Sequence, residues 1–489
     1  MWAGSNSEGR TPTSERRHGS ALYVAETETD ITIAEEVGDL LERPYRSETS
    51  LLSATSFIGA RTSQGTPMTH RNTQRFDLSD RLVHFTKAVN REQAPSKALP
   101  EEWPLGRLVE SNEISPFFFL REILRTRRLV PSWSWRKTGS SVRRTIYGAR
   151  PAVCFAEMPL DAFLEAGRAR STRGEHMSPY GVSLQKDALF EAGARPVIYG
   201  LREGADFSSR VDDDGARRLP SESLPSSEQF RYVAFDPSRG RSLDWTHERE
   251  WRWPTSDTHA RLEAWSERSK HALSLDSFED IGFIVKTERQ ARLLLHDVLR
   301  LVDDERMERN VVTFILVHDR FPDPRTVVDP ADAAAAVAES RIDLEPYFSL
   351  DDSDAEQLLS TFDELAAEVA SELGPVQYPQ GELGKCWLWL HDNTSDLARA
   401  LIGRPVVRTV EISSHGHYLV NVPEFRDDTG LGVRERLMKR LAGLVESEFG
   451  TEASYYSVVA SDDPDGLLYT DVTRLPDAYL NRAHDERDF

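Results

Sequence analysis

Three short strand-like segments lie far apart in this chain, at 82–86, 151–158 and 245–253, and they limit what it can fold into. Each, read alone, has the pattern of an amphipathic or a buried strand. Segments so widely separated cannot be hairpin partners. They require a sheet assembled from non-local pairs, with helices and loops filling the intervals.

The intervals carry the matching signals. Phe118, Leu120, Ile123 and Leu124 recur at helical spacing, which predicts a helix over 117–128 with a basic last turn. Further strands are expected at 181–184, 196–199 and 280–285, with a helix at 185–192. A helix at 289–303 and a strand at 311–317 then complete a strand, helix, strand unit with a parallel crossover. Pro and Asp crowd the stretch 321–330, a boundary, and helical patterns follow at 331–340 and 353–373. From 385 to 461 the order is strand, helix, strand, strand, helix, strand, the split βαβ order of ferredoxin-like domains. The fold class expected is therefore α+β. Its parts are a largely disordered extension over 1–75, a sheet domain over 76–325, a helical linker over 326–375 and a smaller α/β domain over 376–489.

Charge divides the chain in the same way. Residues 329–489 hold 32 acidic and 13 basic residues, a net of −19, although the whole chain is only −21. A strongly acidic third argues against nucleic acid as its ligand and suits a protein partner. Residues 121–150 instead hold nine Lys or Arg against one Glu, interleaved with Trp133, Trp135 and Tyr147. That stretch reads first as a solvated face, and otherwise as a surface for a pyrophosphate or an anionic macromolecule. No apolar run approaches the roughly 20 residues a bilayer span needs, and no secretion signal is apparent. Cys154 and Cys386 each sit in an apolar run, as buried thiols of a reducing compartment do. The expected location is the cytoplasm, with no membrane partner.

An enzyme that cleaves the nicotinamide–ribose bond needs a carboxylate for an oxocarbenium-like transition state, a neutral hydrogen-bonding group for the adenosine half and an aromatic wall. His84-Phe85-Thr86, Cys154-Phe155-Ala156-Glu157 and Glu248-Arg249-Glu250-Trp251 offer such groups in order. On these residues, over about 80–320, the chain resembles the ADP-ribosyltransferase superfamily, in its diphtheria-toxin and PARP-like branch. The resemblance implies a split β-sheet domain that binds NAD, with His84 and Thr86 orienting the cofactor and Glu250 as the catalytic carboxylate. Glu248, two residues earlier, resembles the Glu-x-Glu of the arginine-modifying branch, and by alternation would share its face. Phe155 and Ser183 would line the cofactor site. Cys154 stands where the family has a stacking Tyr, so Tyr180 is the candidate wall. Glu157 reads as a carboxylate at a helix N-terminus.

Five short blocks, His-Phe-Thr, Val-Cys-Phe-Ala-Glu, Tyr-Gly-Val-Ser-Leu-Gln-Lys, Gly-Ala-Arg-Pro-Val-Ile-Tyr and Glu-Arg-Glu-Trp-Arg, are also similar to bacterial abortive-infection proteins of the AbiGi type. That similarity implies a role in phage defence or toxicity and leaves the chemistry open; the first resemblance implies an NAD-dependent ADP-ribosyltransferase or NAD glycohydrolase, with protein, RNA, DNA or water as the acceptor. The rival is a protein of the same fold that binds a partner without turnover. No metal site is expected: His415-Gly416-His417 reads as a turn, and no zinc or calcium spacing is present.

Overall fold

The two most apolar runs of the chain, 281–285 and 312–317, lie side by side in a mixed sheet. The computed structural model describes residues 78–467 except 91–112, 139–140, 173–177, 202–209, 212–215, 236–245, 256–264, 374–382, 406–407, 415 and 428. The extension expected over 1–75, and part of the loop region after residue 202, fall outside the described residues.

In chain order the sheet-bearing part runs β1 (Arg81–Phe85), α1 (Pro116–Thr126), β2 (Ala152–Ala156), α2 (Leu160–Thr172), β3 (Gly181–Gln185), α3 (Lys186–Glu191), β4 (Arg195–Pro196) and β5 (Glu250–Pro254). It continues with β6 (Ile281–Val285), α4 (Glu288–Asp303), β7 (Val312–Val317), α5 (Pro330–Glu339) and β8 (Arg341–Asp343). The strand order is β8-β7-β6-β3-β1-β2-β5-β4. Only β6 and β7 pair in parallel, because α4 carries the chain back between them. That helix starts where the sequence dictates. The Thr287 hydroxyl accepts a hydrogen bond from the Gln290 backbone N–H, and the Thr287 backbone N–H donates to Gln290 Oε1, a complete capping box. Similarly, Ser115 caps α1 through the Phe118 amide, with Pro116 in the first turn, where its missing N–H costs nothing.

The sheet is covered on both faces. Leu82, Phe155, Val182 and Phe283 meet Phe117, Leu120 and Leu124 of α1 and Leu294 and Val298 of α4 on one side. Val83, Ile284, Phe314 and Leu316 meet Phe163 and Leu164 of α2 and Ala336 of α5 on the other. The ladder is not continuous. β1 pairs with β3 over five residues and β2 with β5 over five, yet β1 meets β2 only at Val83 and Ala156. The sheet is thus two halves joined at one register pair.

The rest of the described chain is α6 (Asp352–Ala370), β9 (Gly384–Leu390), α7 (Asp396–Gly403), β10 (Val410–Ile412), β11 (Tyr418–Val420), α8 (Leu431–Phe449) and β12 (Ala453–Val459). Its four strands form an antiparallel sheet of order β10-β11-β9-β12. The three helices pack on one face, around Phe362, Leu388, Leu401, Val420 and Leu441.

The stretch expected to be a helical linker is not one. Residues 341–343 add an edge strand to the first sheet, while Leu359, Phe362, Ala366 and Val369 of α6 complete the second core. Arg408 ties α6 to that module through Asp363 and Glu424. The described residues between 78 and 467 form one compact unit. Among the described residues no helix is long and apolar enough to cross a membrane.

Gly282 lies in β6 beneath the Phe314 ring, which a Cβ would strike. The Arg81 and Arg341 guanidinium groups lie 5.0 and 4.3 Å from that ring and leave it little room to yield. Gly282→Ala should therefore cost about 1–3 kcal/mol, as overpacking does. Urea unfolding of the two proteins checks this, and an unchanged midpoint would contradict the packing described.

Candidate active site

The site is best built from the place where the sheet opens. Past Val83 the backbone of β1 turns from β2 towards β3, and the Thr86 amide bonds the Tyr180 carbonyl at 3.0 Å. His84 spans the gap that this leaves. Its Nδ1 lies 2.9 Å from the Cys154 carbonyl oxygen on β2. A carbonyl only accepts, so Nδ1 carries the proton and Nε2 is left as an acceptor. Burial lowers the His84 pKa below its usual 6.5, outweighing the bond to Cys154, so the ring is neutral at pH 7. The Phe155 ring meets it edge to face, with centroids 5.9 Å apart.

The neighbouring residues are fixed by the fold. Thr86 is buried and its hydroxyl donates to the Pro116 carbonyl at 2.8 Å, which locks the end of β1 to the start of α1. Tyr180 is half-buried; its hydroxyl accepts from Gln290 Nε2 at 3.0 Å, and its ring lies 6.2 Å from that of Phe117. Phe155 is wholly buried, so its ring serves the core and His84 and cannot act as an open stacking wall. Ser183 is also wholly buried. Its hydroxyl accepts from Arg81 Nε at 2.7 Å, and Arg81 is further paired with Asp280, so this serine belongs to the framework.

Register settles how the carboxylates stand. Val83 pairs with Ala156 and Ala156 with Glu250, so these three share one face of the sheet. His84, Phe155 and Trp251 lie on the other. His84 and Glu250 therefore project from opposite faces. The Glu250 carboxylate takes two bonds from Arg252, at 2.8 and 3.3 Å, and the buried Arg252 also donates to the Phe230 carbonyl at 2.6 Å. Cys154 faces the same pair. Burial first, then the Glu250 charge, pushes its thiol up to about 12, which leaves it protonated and unreactive.

Glu248 is not on the strand. It closes a 3-10 turn, Thr246–Glu248, and Arg249 follows with φ +42, so the expected alternation between Glu248 and Glu250 is broken. Both carboxylates nevertheless act on Tyr199, whose phenol is raised by burial and then by Glu250 and Glu248, against a bond from the Glu250 backbone.

Glu157 was expected to serve a helix N-terminus. Instead its two oxygens take Trp251 Nε1 at 2.7 Å and Lys186 Nζ at 2.8 Å. This joins three of the five sequence blocks across β2, β5 and the end of β3. Lys186 also donates to the Ser79 carbonyl at 3.0 Å, so one clamp holds both halves of the sheet. Tyr199 escaped the sequence reading. The Glu-x-Arg alternation in β5 carried a signal for Arg252, whereas Tyr199 reaches Glu250 only through the fold. Among the described residues no group of three or more His, Cys, Asp or Glu side chains could hold a metal ion.

A family described as a protein of unknown function, DUF4427, matches residues 350–479. The match spans α6 to β12 and none of the strands that carry His84 and Glu250. No curated protein and no solved structure matches the chain.

Imidazole NMR should report the Nδ1–H tautomer for His84 at pH 7 and a titration midpoint below 6.5. Because the folded pKa lies below the unfolded one, this group's contribution to stability is full above the unfolded value and is lost as pH falls below it. A midpoint at or above 6.5 would contradict the burial and tautomer assigned.

Proposed function

We propose that residues 76–325 form an ADP-ribosyltransferase-like domain that binds NAD and cleaves its nicotinamide–ribose bond, passing ADP-ribose to a macromolecular acceptor or, as a glycohydrolase, to water. The observation that carries this reading is the split between β1 and β2, bridged by a neutral His84 whose Nδ1 is occupied and whose Nε2 is an acceptor. A ribose hydroxyl is the kind of donor that Nε2 would take. The three landmark strands are neighbours in the order β1-β2-β5, which also favours it. Thr86 and Tyr180 would shape the cofactor's surroundings from fixed positions. NAD supplies a glycosidic bond whose cleavage places positive charge on a ribose. On this reading the chain's part is to hold the cofactor and to answer that charge with a carboxylate.

The fit is uneven. His84 suits a cofactor hydroxyl, whereas the Glu250 charge is already neutralised by Arg252 and lies across the sheet from His84. That observation favours a second reading, a catalytically inactive sensor or regulator of the same fold that binds NAD or a partner without releasing nicotinamide. Similarity of the five blocks to AbiGi-type proteins extends either reading to an abortive-infection, antiviral or toxin role in the cytoplasm. The order β10-β11-β9-β12, all antiparallel, supports a ferredoxin-like arrangement for the acidic C-terminal module, and its net −19 over 329–489 supports a protein partner.

Nicotinamide release from NAD by the full chain decides between the readings, alongside calorimetric NAD binding and the variants His84→Ala and Glu250→Gln. Turnover predicts release by the wild type that falls at least 100-fold in both variants. NAD binding without release establishes the sensor reading. No NAD binding at all removes both. Glu250→Gln should also lose roughly 1–3 kcal/mol of stability, because it leaves the buried Arg252 guanidinium without its anion.

A further inference from the structure

One helix touches both the candidate NAD site and the C-terminal module. At the first turn of α4, Gln290 donates to the Tyr180 hydroxyl, and Tyr180 in turn holds the Thr86 amide through its carbonyl. In the middle, Asp297 takes Arg121 at 2.7 and 3.2 Å and Arg125 at 3.0 Å, which fixes α1 and with it the Pro116 carbonyl that accepts from the Thr86 hydroxyl. The last turns belong to the C-terminal module. His296 Nε2 donates to the Gly416 carbonyl at 3.1 Å, and the His296 carbonyl accepts from Asn393 at 3.1 Å. Arg300 donates to the Ser414 carbonyl at 2.7 Å. Asp303 takes Arg399 at 2.6 and 3.2 Å and the Tyr418 hydroxyl at 2.8 Å.

The contact is polar although it lies between two apolar cores. The residues of the first core and those of the second form separate clusters. What joins them here is an ion pair with both side chains buried, the Tyr418 hydroxyl, the His296 imidazole, the Asn393 amide, Arg300 and a few backbone carbonyls. Losing these bonds would leave each core with its own helices and strands intact. Polar contacts between cores of this kind permit relative motion more readily than a shared apolar core does. α4 is continuous from Glu288 to Asp303, so a change at its last turn acts on one rigid rod.

We propose that the C-terminal module regulates the NAD site through α4: docked, it holds Tyr180 and Thr86 in place, and a partner that draws it away loosens them. This rests on the NAD-binding reading for its consequence, although the mechanical coupling itself does not. Docked and released positions of the turn that carries Ser413, Ser414 and Gly416 are the two states such coupling would require.

Hydrogen exchange of the full chain tests it without reference to activity. Arg399→Gln and the milder Tyr418→Phe should raise exchange of the hairpin 413–417 and, with it, of the Thr86 amide by at least 10-fold. Amides of β9 and β12 should remain protected. Gln290→Leu, which cuts only the far end, should loosen Thr86 and leave the hairpin unchanged. Hairpin loosening with Thr86 unmoved would overturn the proposal. An unmoved hairpin in both interface variants would also overturn it, since the ion pair would then not dock the module. If Arg399→Gln loses protection throughout, Tyr418→Phe and Gln290→Leu decide by the same criteria. A wild type that binds no NAD would remove the functional reading while leaving the exchange result to judge the coupling.

Discussion

Asp297 is a buried carboxylate in the middle of α4, and the arrangement around it depends on its staying ionised. Burial alone would favour the neutral acid. Arg121 and Arg125 reverse that and hold its pKa far below the usual carboxylate range. The pair is strong because it is desolvated and bidentate, and losing either side would strand a charge in the core. Through it α1 is locked to α4, and the N-terminus of α1 presents the carbonyl that holds Thr86. Placement of the β1 terminus beside His84 thus follows from a charge cluster that itself touches no expected cofactor residue.

A second constraint is the broken ladder between β1 and β2. A continuous sheet would satisfy its carbonyls by backbone bonding and leave no opening between these strands. Here a side chain takes over part of that task, and in doing so His84 acquires a fixed tautomer. The Glu157 clamp with Lys186 and Trp251 then supplies, through side chains, some of the cohesion that the missing backbone bonds would have given. The opening is therefore stabilised from both ends of the gap.

Much of this was legible residue by residue. The helix 288–303 could be read because its leucines recur at helical spacing behind a Thr-x-x-Gln cap, and β6 and β7 because they are uninterrupted apolar runs. The edge strand Arg341–Asp343 was not legible, since three residues, two of them charged, carry no period. The relation between His84 and Glu250 was hidden for a different reason. Alternation fixes which residues share a face within one strand, but the relation between strands depends on register, and register is set by pairs distant in sequence. Glu248 was misread because a single left-handed residue, Arg249, breaks the alternation on which its expected position rested.

The position of β1 in the sheet also bears on how the protein is made. It is the first strand of the main sheet to leave the ribosome, yet it ends up between β2 and β3, and Arg81 bonds a serine 102 residues further on. At typical rates of synthesis that interval lasts on the order of 5–20 s. Until then the strand that bears His84 lacks its β3 neighbour, with which it shares its longer ladder, and the α4 rod is not yet translated. The nascent chain thus carries an incomplete His84 environment for much of its synthesis. The region is complete only once the helix ending at Asp303 has been made, well past the midpoint of the 489-residue polypeptide.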